Sequence, residues 1–90
     1  MREIRITSWK ELVSLPKGTK LIERNTKFGN TNIYFIGHVT MKRDMVEVFY
    51  EHRNDHFQIE EAHFTSVLSD GDSTLHHVTE NHFDEDMFKL

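Results

Sequence analysis

The spacing of apolar side chains along this chain changes twice, and each change predicts a different element. Ile4 and Ile6 share one face near the start, which predicts a short strand over residues 2–6. Ser8-Trp9-Lys10-Glu11 then fits a capping box, in which Ser8 bonds an early amide and Glu11 reaches back. Trp9, Leu12 and Val13 follow at i, i+3 and i+4, the spacing of a two-turn helix with one apolar side. Pro16 stops that helix and Lys17-Gly18 turns the chain.

From Thr19 the period becomes two. Residues 20–24 read as a strand and residues 27–30 as the loop after it. Residues 31–40 form the clearest strand, with Ile33, Phe35, Gly37 and Val39 on one face and Tyr34, Ile36 and His38 on the other. Both faces are largely apolar, which predicts a central position in a sheet. Met41-Lys42-Arg43-Asp44 suits a hairpin, and residues 45–52 return with Val46, Val48 and Tyr50 alternating against Glu47 and Glu51. A polar turn, Arg53-Asn54-Asp55, leads to a strand over residues 56–59. Residues 60–63 are expected as one helical turn and residues 64–68 as extended chain. A turn over 69–73 and a last strand over 74–78 follow. Beyond it, Phe83, Met87 and Leu90 fall at i, i+4 and i+7, which predicts a short C-terminal helix capped by Thr79. Glu80, Asp84 and Glu85 would sit in its first turns, where the helix dipole favours negative charge.

These elements predict a mainly β (α+β) fold, one compact domain over residues 1–78 and an acidic, aromatic segment over 79–90. The stretch KGTKLIERN–IYFIGHVT–VEVFYEH–FQIEEAHFTSVL, across residues 17–68, resembles an SH3-like small barrel in its order of elements. An antiparallel meander with a helix packed across it predicts nearly the same pattern. Fold of either kind leaves function open.

Composition narrows the class. Ninety residues make one domain, burying roughly 60–65% of the surface of the unfolded chain. With no cysteine, disulfides and thiolate metal sites are excluded. No run approaches the ~18 apolar residues of a membrane span, so a soluble, cytoplasmic protein is expected. Charge is sorted along the chain. Residues 1–30 carry seven basic and three acidic side chains, whereas residues 61–90 carry seven acidic and one basic. The net charge of −4 therefore hides a dipolar distribution.

Seven histidines raise the question of metal binding. His52 and His56 flank the turn at Arg53-Asn54-Asp55, so His52, Asp55 and His56 could converge as a metal site, joined by His38 or His63. Without an HExxH or a deaminase pattern, dispersed histidines with a pH response near ~6.5 are the simpler expectation. Asp70-Gly71-Asp72-Ser73 resembles the start of a calcium loop, but Leu75 stands where glycine is needed and Asn81 where a bidentate glutamate is needed. No cofactor is expected. Lys17, Lys20, Arg24 and Lys27 could line one rim for single-stranded nucleic acid, with Phe28 or Tyr34 for stacking. The acidic final third would repel phosphates within a Debye length of ~8–10 Å, so direct nucleic-acid binding is disfavoured.

The segment ENHFDEDMFKL combines carboxylates with large apolar groups that are costly to expose. It is expected to bind a partner protein with a basic surface through Glu80, Phe83, Asp84, Glu85, Asp86, Met87 and Phe88. A homodimer is compatible with the same features. In size and composition the chain resembles the small early proteins of bacteriophages, which implies host cytoplasm and inhibition of a nucleic-acid-handling protein by occupying its basic surface. The expected function is therefore a non-enzymatic interaction module.

Overall fold

Ser8 opens the first helix in extended geometry, and its hydroxyl accepts the Glu11 amide at 3.2 Å. The Glu11 carboxylate reaches back to the hydroxyls of Ser8 and Thr7, at 3.2 and 2.9 Å. In this computed structural model, which describes residues 2–78, the expected capping box is therefore formed through side chains. The elements run β1 (Glu3–Arg5), α1 (Trp9–Val13), β2 (Lys20–Asn25), β3 (Thr31–Val39), β4 (Met45–Tyr50), β5 (His56–Glu60), α2 (Glu61–Asp70) and β6 (Ser73–Val78). Residues 79–90 lie outside the described residues, and with them the expected C-terminal helix.

The six strands form one antiparallel sheet in the order β1-β6-β2-β3-β4-β5. Strands β2 to β5 are a meander, as their period-two pattern predicts. β6 leaves that order and enters between β1 and β2. β1 and β5 remain as edges, so the sheet is open and does not close into a barrel. The mainly β meander with a short N-terminal helix is the form the chain takes.

Two local expectations change. Residues 61–70 form a continuous helix, α2, where extended chain was expected over 64–68. Phe64, Val67 and Leu68 stand at i, i+3 and i+4, and as a helix they all turn toward the sheet. Gly71, at φ 70°, ends the helix in the left-handed region and bonds its amide to the Val67 carbonyl at 3.3 Å. The second change is a bulge in β3. Ile36 faces Val48, His38 faces Glu47 and Val39 faces Val46, so Gly37 is the extra residue. Val39 is thereby moved to the side of Tyr34 and Ile36, opposite to the expected face.

Both helices cover the same side of the sheet. Leu12 and Val13 of α1 and Phe64 of α2 share a core with Ile6, Leu21, Ile36, Val46 and Val48. Each such side chain contributes about 1.5–3 kcal/mol on burial. Trp9 ties this layer together. Its ring packs 5.7 Å from that of Phe64, and its indole donates to the Arg43 carbonyl at 2.7 Å in the β3–β4 turn.

Candidate functional site

The register of the strands defines the other face. Lys20, Phe35, Phe49 and His56 form one row across β2 to β5, with Ile22 and Ile33 paired in the row beside it. None of these side chains belongs to the core under the helices. Ile22 is nearly covered, at 5% exposure, but Phe49 remains 42% exposed in the middle of the sheet. Its ring lies over Gly37, where a Cβ would collide with it. The bulge glycine therefore makes room for the Phe49 ring on the open face.

Charge on this face is divided by strand. On the β2 side, Arg24 grips Glu3 with two bonds, at 2.6 and 3.3 Å, and Lys20 lies 3.8 Å from Glu51. Hydrogen bonding from Arg24 holds the Glu3 carboxyl below its ordinary value, opposed by burial and helped by the charge of Arg24. On the other side, β4 and β5 contain no lysine or arginine, while Glu47 and Glu60 face outward from them. Beside Phe49 the open face is thus apolar and acidic.

The structure disperses the residues that could have formed a metal site. His52 is 85% exposed and pairs with Glu51 at 3.2 Å, whereas His56 points to Glu47 at 3.8 Å. Asp55 accepts the His56 amide at 2.8 Å and faces Arg53 at 4.0 Å. His38 is on the open face, while His63 lies on α2. Among the described residues, no three His, Cys, Asp or Glu side chains are placed to hold a metal ion.

The four basic residues considered for nucleic acid are also apart. Lys17 precedes β2 and Lys27 follows it, at opposite ends of the strand. Lys20 and Arg24 share the open face but are each neutralised by a carboxylate. Lys27 instead lies 5.6 Å from the ring of Phe28, and Tyr34 is buried on the helix side. The residues expected to meet a partner, Glu80, Phe83, Asp84, Glu85, Asp86, Met87 and Phe88, lie outside the described residues. Asp70 and Asp72 flank the Gly71 turn, as an ordinary Asp/Gly turn requires.

A second constellation was not anticipated. Glu23 of β2 projects to the helix side, opposite Leu75 of β6 and Asn32 of β3. One of its oxygens, Oε1, accepts the Tyr34 hydroxyl at 2.6 Å and the Asn32 amide at 3.3 Å. Burial, then the bond to Glu23, pushes the Tyr34 phenol well above its ordinary 10.0, so it stays a neutral donor. Glu23 and Tyr34 line a cavity of ≈ 70 Å³ between the sheet and α2, together with Phe57, His63, Phe64, Val67 and Leu75. The signal in the sequence was an acid two residues after Leu21, on the inward side of the strand KLIERN. Recognising it needed the register with β3.

Comparison with known proteins finds no family model, no curated protein and no solved structure that matches the chain. Among the described residues, no helix is long and apolar enough to cross a membrane.

Proposed function

We propose that the chain is a non-enzymatic protein-interaction module that meets a basic surface of a partner protein. The observation that carries this reading is the row Phe35–Phe49 on the open face, with Phe49 42% exposed beside Glu47 and Glu60 on two strands that contain no lysine or arginine. A partly exposed aromatic in an apolar patch supplies an anchor, and the acidic rim supplies attraction to lysines and arginines. Val78 ends β6 in the same row as Lys20. The acidic segment, through Glu80, Phe83, Asp84, Glu85, Asp86, Met87 and Phe88, extends the same surface chemistry. In its finer form the proposal is competitive inhibition of the kind used by small phage early proteins: carboxylates occupy a surface that otherwise holds phosphates, and rings give specificity.

The test is quantitative affinity capture from the native cell extract with the full-length protein. A partner should be retained at low salt and released as salt rises. Phe49→Asp, or the combined Asp84→Lys, Glu85→Lys and Asp86→Lys, should each reduce capture at least about tenfold, equivalent to about 1.4 kcal/mol. Asp70→Lys with Asp72→Lys should not. Equal capture by all four proteins overturns the reading.

A further inference from the structure

The cavity under α2 lies on the other side of the sheet from the proposed interaction face, and it has chemistry of its own. Its walls are mainly aromatic and aliphatic, with His63, Ser73 and Thr74 among them, and one wall carries the carboxylate of Glu23. Both recorded bonds to that carboxylate fall on Oε1, from Tyr34 and Asn32. Both donors are neutral. Among the described residues no lysine, arginine or histidine forms an ion pair with Glu23, whereas Glu3 of β1 and Glu47 of β4 each have one. A carboxylate that faces a largely apolar space without an ion-paired cation is left with attraction to spare.

We propose that this cavity binds a primary alkylammonium group, with the ammonium on the free side of Glu23 and the alkyl stem among Phe57, Phe64, Val67 and Leu75. The ring faces of Tyr34 and Phe57 favour the same charge, since aromatic quadrupoles attract cations. Size agrees with a short stem. An apolar cavity of about 150 Å³ admits benzene, and this one, at ≈ 70 Å³, suits a chain of a few carbons. An anion is opposed by Glu23, and a purely apolar guest would strip water from the carboxylate without replacing it. The alkylammonium can arrive as a free amine or as a lysine side chain of another protein. The inference stands whether or not the open face meets a partner.

The test is a methyl and amide NMR titration of the full chain with n-butylammonium chloride, and with 1-butanol as its neutral counterpart. Saturable shifts are expected at Ile59, Val67, Leu68 and Leu75, with butylammonium binding at least about tenfold more tightly than butanol. Glu23→Gln, which keeps an acceptor for Tyr34, should remove that preference. Val67→Phe, which fills the space from the helix side, should abolish the shifts. A lysine-containing tripeptide blocked at both ends and its Nε-acetylated form separate the sources: shifts with the first alone indicate a lysine side chain, and shifts with butylammonium but neither peptide indicate a free amine. Equal binding of butanol and butylammonium, no saturable shift in the cavity, or an unchanged preference in Glu23→Gln overturns the proposal.

Discussion

Two carboxylates on opposite faces of the sheet have opposite surroundings. Glu3 on the open face is held by Arg24, whose hydrogen bonding and charge lower its pKa from the ordinary value of 4.5. The folded protein therefore holds the ionised form more tightly than the unfolded chain does. The contribution of the pair is complete above the ordinary value and is lost as pH falls through the lower folded value. Glu3→Gln should cost no more than about 1 kcal/mol at neutral pH, since the pair is partly exposed. Urea unfolding at about pH 2 should no longer distinguish the two proteins. Glu23 faces the helices instead, and Tyr34 donates to it from a buried position. Tyr34→Phe leaves Glu23 short of a donor and should cost about 1–2 kcal/mol in chemical denaturation. The raised phenol pKa adds a sign: its contribution is complete below the ordinary value of 10.0 and is lost as pH rises above it. Stability measured from neutral to alkaline pH should therefore fall more steeply in the wild type than in Tyr34→Phe.

At the level of elements, α2 carries the largest local prediction. Phe64 is its one fully covered side chain and meets both Trp9 and the sheet core. Phe64→Ala should cost about 3–5 kcal/mol, seen as an earlier midpoint in urea with the slope retained. Gly71→Ala places a Cβ at φ 70° and should cost about 1 kcal/mol, although nothing crowds the position. The elements differ in how far they could be read from the chain. The β2–β5 meander and the capped α1 were legible because period two and the Ser8–Glu11 box are local signals. α2 was missed over its second half because Phe64 and Leu68 also suit alternation, and only the sheet beneath them decides the period. The displaced Val39 was hidden for a related reason, since a bulge at Gly37 exists only relative to β4. Glu23 was equally silent, because its environment is built from β3, α2 and β6.

Across the whole molecule, one face of a single sheet is covered by helices and the other carries an exposed ring amid divided charge. Phe49 contributes little to the core, so Phe49→Asp should change the unfolding free energy by about 1 kcal/mol or less. A melting curve close to that of the wild type, alongside lost capture of the partner, would separate recognition from stability. The position of β6 has a further consequence. Its carbonyls and amides bridge β1 to β2, and Ile6 itself bonds to the Leu75 carbonyl at 2.8 Å. The amino-terminal strand thus has no place in the sheet until Ser73–Val78 has left the ribosome tunnel. Without Ser73–Val78 the meander would present β2 as a bare edge, and that strand stitches β1 onto it.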